Sequence, residues 1–199
     1  MIAFRTPRLV ARRIEPDDAA ALQEVYGDPG AMRWVGDGKP LNFVQCAQWV
    51  EVSQRNYAHR GYGMFALVFR ETGGVIGFCG LVHPQDQSDP ELKYALRREY
   101  WGCGLATEAA RAMLAAAATG FGMRRIIATT APENAASQHV LLKAGMVREA
   151  RRTITMGHGP SCSHGTRKER SAHEWTLPIP SEPKPSIPKQ AAPRPMPLS

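Results

Sequence analysis

Cysteine is scarce and scattered: Cys46, Cys79, Cys103 and Cys162 are the four in 199 residues, and no two form a CxxC pair. That argues against a disulfide framework or a zinc ribbon, and leaves reduced thiols packed as small hydrophobes. No apolar run approaches the roughly 18 residues of a membrane span. The longest, over 109–122, is rich in alanine and broken by Arg111, so it reads as a buried helix. Residues 1–13 carry no apolar h-region, being interrupted by Arg5, Arg8, Arg12 and Arg13; a cytoplasmic address without membrane partner is the expectation. No RNP, zinc-finger or KH-type signature accompanies the charge of +7 and the pI of about 9.5. A nucleic-acid partner therefore rests on net charge alone, and is not expected. An anionic small ligand suits the same charge.

What is present is globular composition, 43% hydrophobic and 22% charged. A single domain over 1–177 is expected, long enough to bury a core. Residues 178–199 differ, with eight of the 16 prolines and almost no large apolar side chains. They read as an extended or disordered tail.

Periodicity predicts alternating elements. A first strand covers 9–14, and Glu15-Pro16-Asp17-Asp18 opens a helix on which Ala19, Leu22, Val25 and Tyr26 recur. Gly27-Asp28-Pro29-Gly30 ends it. A second helix follows over 44–59, then strands over 64–69 and 75–83 joined at Glu71-Thr72-Gly73-Gly74. A fourth strand covers 91–96. Next come a helix over 104–121, a buried strand over 125–130, and a helix over 133–143 stopped by Gly145. Strands over 146–156 and 172–177 complete the reading, flanking a Gly-, Ser- and His-rich loop.

The informative segment is Leu96-Arg97-Arg98-Glu99-Tyr100-Trp101-Gly102-Cys103-Gly104-Leu105-Ala106-Thr107-Glu108-Ala109. A strand ends, two glycines make a tight turn, and a helix begins at once. A helix start presents unpaired N–H groups and the positive end of a dipole, and glycine lets that backbone approach a ligand. The pattern suits a pyrophosphate nest. Gly-x-Gly alone is equally a turn with ordinary capping.

The flanking residues add a resemblance. Tyr-Trp-Gly-x-Gly-Leu-Ala-Thr-Glu-Ala resembles the acetyl-CoA-binding motif of GNAT acetyltransferases, in the subgroup similar to the RimJ/RimL ribosomal-protein alanine acetyltransferases. Thr6-Pro7-Arg8-Leu9-Val10-Ala11-Arg12 is similar to that subgroup's first strand, and Glu91-Leu92-Lys93-Tyr94 to its fourth. Asn134-Ala135-Ala136-Ser137, followed by Leu142-Lys143-Ala144-Gly145-Met146, is similar to its "N-x-x-S … x-K-x-G-F" helix. The resemblance covers 6–177.

It implies an α/β fold whose mixed, mostly antiparallel sheet is split at a V-shaped cofactor opening, with helices on both faces. It implies acetyl-CoA as co-substrate, no metal, and an amine-bearing acceptor, either a small molecule or a protein N-terminus. Monomer and homodimer both remain open. Backbone groups at Leu96 and Arg97 would pair with pantetheine amides. The N–H groups of Arg98, Gly102, Cys103, Gly104, Leu105, Ala106 and Thr107 would hold the pyrophosphate. Asn134 and Ser137 would face the pantetheine arm, although Asn134 reads equally as a helix cap. Many relatives place a Tyr acid on the helix after the fifth strand; here the matching residue is Leu141. Ser137 becomes the best remaining hydroxyl, as acid or as simple contact.

Acyl transfer to an amine needs a base, oxyanion donors and help for the leaving thiolate. Glu91 is the first candidate base, acting through water, with a surface strand residue as the competing reading. His83 titrates in a useful range and could serve instead. The backbone of the fourth strand would supply the oxyanion donors. Glu108 is assigned a capping or structural role, and Tyr100 and Trp101 pack the loop. His158, Cys162 and His164 offer three potential ligands without a fourth, and read as a substrate-side loop rather than a metal site. Arg148, Arg151, Arg152, Arg167, Lys168 and Arg170 flank it as a solvated strand face. A CoA-binding domain without transfer activity is the alternative to an enzyme.

Overall fold

A computed structural model describes residues 1–35, 38–149 and 173–177 of the chain. The tail over 178–199 lies outside them. So do His158, Cys162 and His164, the cations Arg151, Arg152, Arg167, Lys168 and Arg170, and most of the strand expected over 146–156.

The described strands form one sheet in the order β1-β2-β3-β4-β5-β6-β8-β7. They are β1 (Ile2–Arg5), β2 (Leu9–Arg13), β3 (Met64–Phe69), β4 (Val75–Val82), β5 (Glu91–Leu96), β6 (Ile127–Thr130), β7 (Val147–Arg148) and β8 (His173–Thr176). Neighbours from β1 to β5 run antiparallel, β5 and β6 run parallel, and β8 returns antiparallel to β6. The strand over Ile2–Arg5 was not expected. It turns back at Thr6, whose hydroxyl and N–H both engage Leu9 O, and it shifts the strand numbering by one.

The helices are α1 (Ala19–Tyr26), α2 (Pro29–Met32), α3 (Phe43–Arg60), α4 (Leu105–Gly120) and α5 (Ala135–Ala144). Gly27-Asp28-Pro29-Gly30 does end α1, but it also starts α2. The Asp28 carboxylate accepts from Gly30 N–H at 2.6 Å and Ala31 N–H at 3.2 Å, which caps one further turn. Asn42 and Gln45 close a reciprocal capping box on α3, each accepting the other's N–H at 2.9 Å. Gly145 stops α5 at φ 98°, a left-handed conformation that favours glycine.

Two hydrophobic clusters fill the domain. The larger joins the sheet to α4 and α5 through residues such as Leu67, Leu92, Met113, Leu141 and Trp175. The smaller gathers Ile14, Leu22, Val25, Cys46, Val50 and Phe78 around α1 and α3. Cys46 and Cys79 are buried free thiols, as the sequence leads one to expect, while Cys103 is free and exposed. No helix among the described residues is long and apolar enough to cross a membrane.

The sheet opens between β5 and β6. Their register is Glu91↔Ile127, with Ile127 N–H donating to Pro90 O at 3.0 Å. Two residues on, Thr129 N–H donates at 3.1 Å to the Glu91 carboxylate rather than to β5 backbone. A side chain thus satisfies the backbone group that the parting strands would strand. The V-shaped sheet is present, and Glu91 sits at its vertex.

Candidate active site

At the C-terminal end of β5 the chain makes a short 3-10 turn over Arg98–Tyr100 and reaches Gly102 and Gly104, at φ 75° and 77°. α4 then begins with no side chain capping it. Its first backbone bond of this series runs from Glu108 N–H to Gly104 O at 3.0 Å. The N–H groups of Leu105, Ala106 and Thr107 thus lack intrahelical partners. These three residues line a cavity of about 480 Å³ that follows the splayed side of β5 down to α5. Arg8 fixes the turn from behind. Its Nη2 lies 2.6 Å and its Nε 2.7 Å from the Glu108 carboxylate, and Nη1 donates to Cys103 O at 2.9 Å. Burial pushes the Glu108 carboxyl up, but hydrogen bonds from Thr6 and Arg8 outweigh it and hold the group below its usual range.

Leu96, Gly102, Gly104, Leu105, Ala106, Thr107, Asn134 and Ser137 all line this cavity. Arg97, Arg98 and Cys103 are not among its lining residues. Arg97 N–H is already bonded to Ile76 O at 2.8 Å, and Leu96 O accepts from Trp101 Nε1 at 2.8 Å. By strand alternation Arg97, Ala95 and Lys93 turn their backbone toward β4, so Tyr94 and Leu96 turn their N–H toward the opening. The guanidinium of Arg97 pairs with Glu24 and Glu99. The Cys103 thiol lies 3.5 Å from Trp101 O. Tyr100 packs edge-on against Phe69, and Trp101 is 47% exposed at the cavity mouth.

Asn134 caps α5, accepting Ser137 N–H at 3.1 Å, so the cap reading is met while its residue still borders the cavity. Leu141 is buried in the core beneath α5. The phenol of Tyr94 lies in its stead near the opening: its hydroxyl is 2.7 Å from Ser137 Oγ and 3.2 Å from Ser137 O. Burial raises the Tyr94 pKa, only partly offset by the bond to Ser137, so the phenol keeps its proton. Tyr94 was quoted in the sequence only as part of a strand. The signal was there, since it shares a face with Leu92 and Leu96, two residues to either side.

Glu91 is buried, and its Oε1 also accepts from Lys93 Nζ and the Thr129 hydroxyl. It is not among the residues lining this cavity or the next. The surface-residue alternative for Glu91 does not hold, because 3% of it is exposed. A second cavity, of about 530 Å³, lies across β5 against α1, α2 and α3. His83 borders it with Nδ1 2.8 Å from Gln87 O and Nε2 2.9 Å from the Tyr62 hydroxyl. A carbonyl only accepts, so Nδ1 carries the proton. Both cavities are bounded by Val35, Lys93, Tyr94 and Ala95.

The sequence pattern described as "Acetyltransferase (GNAT) domain" matches residues 8–147. The chain belongs to the GNAT acetyltransferase family. Among curated relatives, YkkB of Bacillus subtilis is 35% identical over 147 residues, spanning 71% of this chain and 83% of that protein. The uncharacterized N-acetyltransferase p20 of Bacillus licheniformis is 28% identical over 155 residues, 75% and 87% of the two chains. The fold matches that of RimL, the ribosomal L7/L12 alpha-N-protein acetyltransferase solved with coenzyme A, at a TM-score of 0.71 and 15% identity, over 90% of this chain and 98% of that one. This GNAT protein is thus an acetyl-CoA-dependent acyltransferase.

In the GNAT domain the turn that carries the motif is also tied to α2. Arg98 donates from Nη2 and Nε to the Asp28 carboxylate, at 2.5 and 3.0 Å, and so joins the cofactor turn to the cap of α2. Arg98 holds Asp28 at a pKa of about 2, below its ordinary 3.8, with help from the Gly30 and Ala31 amides against desolvation. A depressed carboxylate contributes stability above its unfolded pKa and loses it as pH falls. The melting temperature of Asp28→Asn should therefore decline less steeply than that of the wild type between about pH 4 and pH 2. Parallel declines in an acid titration by circular dichroism would count against the latch.

Proposed function

We propose that this enzyme moves the acetyl group of acetyl-CoA directly to a primary amine, of a small molecule or a protein N-terminus, within one ternary complex. The observation that carries the reading is the wall formed by Val35, Lys93, Tyr94 and Ala95, common to both cavities. A donor in the first and an acceptor in the second meet there without a covalent enzyme intermediate. The uncapped start of α4 supplies N–H groups for the pyrophosphate. The open edge of β5 at Tyr94 and Leu96 supplies amide partners for the pantetheine arm and the oxyanion. Buried free thiols in Cys46 and Cys79 suit a reducing, cytoplasmic setting.

The neutral amine forms the new C–N bond, the C–S bond breaks, and the sulfur leaves as thiolate. Tyr94, kept protonated by burial and backed by Ser137, donates a hydrogen bond to that sulfur. The amine's proton departs on the acceptor side through water. Tyr94→Phe should lower kcat by about tenfold, and Ser137→Ala by less, below the roughly 10²–10⁴-fold of full general-acid catalysis because the thiolate receives a hydrogen bond and not a proton. The KM for acetyl-CoA should change little. The double variant should be no worse than Tyr94→Phe alone, since the two hydroxyls act as one unit. Thiol release followed with an accepted amine tests this, and intersecting initial-velocity lines test the ternary complex. Acetyl-CoA binding without turnover across a broad amine screen would favour a non-catalytic CoA-binding domain.

A further inference from the structure

The second cavity has a wall of a definite character. Met32, Leu41, Val52 and Val82 supply aliphatic surface, and the rings of Tyr26 and Trp49 stack beside them at a centroid distance of 6.4 Å. Trp49 remains 42% exposed, a large indole face presented to the space rather than packed away. Burial raises the Tyr26 phenol above its usual range, so it stays neutral there. Among the described residues, Asp86 is the one carboxylate on this wall. It is 94% exposed and pairs with Arg60 at 3.6 Å. The cations on the described wall each have a carboxylate partner, Arg60 in Asp86 and Lys93 in the buried Glu91.

From this wall we infer that the acceptor is a compact primary amine with one positive charge and an aromatic or branched apolar body, as in an arylalkylamine. The inference rests on the proposed amine acetyl transfer and names its substrate class. Its volume of about 530 Å³ is that of an ordinary small-molecule site. The amino group must reach the wall at Lys93, Tyr94 and Ala95, which places the body against Trp49, Val52 and Met32. An aromatic body offset-stacks on Trp49 and removes its exposed face from water. A polyamine would bring further ammonium groups to a wall whose one carboxylate among the described residues, Asp86, is already paired. A peptide would bring several amides to a wall that offers them the Asn56 side chain as its main neutral polar group, for both His83 nitrogens are engaged.

The test is a panel of 2-phenylethylamine, tryptamine, ethanolamine, spermidine and a short alanine-led peptide, read by thiol release with the full-length protein. We expect kcat/KM for the two arylalkylamines to exceed each of the others by tenfold or more. A preference for spermidine, ethanolamine or the peptide overturns the inference and leaves amine transfer standing. No release with any amine, while calorimetry shows acetyl-CoA bound, overturns the transfer reading and the inference together. Val52→Glu should lower kcat/KM for 2-phenylethylamine by tenfold or more without changing acetyl-CoA affinity. Trp49→Ala, at a partly exposed position, should do so by about fivefold if the acidic variant folds poorly. Unchanged values in a folded variant overturn the placement.

Discussion

Gly104→Val should weaken acetyl-CoA binding by tenfold to a hundredfold while leaving a folded protein. Gly104 has φ 77°, and the one atom a Cβ there would meet within 4 Å is Arg8 Nη2, at 3.7 Å. Space is therefore not the obstacle in the free protein. A β-branched residue in the left-handed region costs about 1–3 kcal/mol of strain, and the turn relieves it by rotating. That rotation turns away the N–H groups of Leu105 and Ala106, and the new side chain faces the pyrophosphate's approach. Ten- to a hundredfold corresponds to about 1.4–2.8 kcal/mol, within that strain. Isothermal calorimetry with acetyl-CoA measures it directly. Full affinity in a variant with a normal melt would remove the nest from the account.

Glu91→Ala should lower the melting temperature by about 2–8 °C. The carboxylate is buried and accepts from Thr129 N–H, the Thr129 hydroxyl and Lys93 Nζ. Removing it leaves the amide and hydroxyl of Thr129, an exposed residue, to water, and leaves Lys93 without its counter-ion. Together these cost about 1–2 kcal/mol, and each kcal/mol is worth a few degrees in a domain of this length. Glu91→Gln separates this role from catalysis. The amide oxygen still accepts Thr129 N–H, so the melt should fall by much less. If Glu91, or a water it holds, takes the amine's proton, the same variant loses the acidic limb of its pH–rate profile. If the residue is a clasp alone, the limb stays where it is.

The sequence reveals elements whose signals are local. The unbroken β-rich apolar run Met64–Phe69 and the recurrence of Leu105, Ala109, Met113 and Ala117 every four residues put β3 and α4 where they are found. It does not reveal β1, a four-residue edge strand of which Phe4 alone is buried. Such a strand exists because β2 offers it a partner. α2 was hidden for a similar reason, since Pro29-Gly30 reads as a stop until Asp28 is seen capping the next turn. The glycine turn was legible because its chemistry lies in consecutive residues. Glu91 as the vertex of the split sheet was not, because Thr129 stands 38 residues away. The pairing of Tyr94 with Ser137 spans 43 residues, a distance over which no periodicity reports.

The two cavities draw on different stretches of chain. Apart from four residues over 30–35, the first cavity is built from residues 92–143, whereas the second cavity, apart from Lys93, Tyr94 and Ala95, is built from residues 26–86. The division makes the chain modular in heredity. Mutations scattered through the first half can retarget the enzyme while the machinery that handles the acyl donor passes unchanged to descendants. A library meant to redirect this enzyme belongs in α1, α2 and α3, with β5 through α5 held constant.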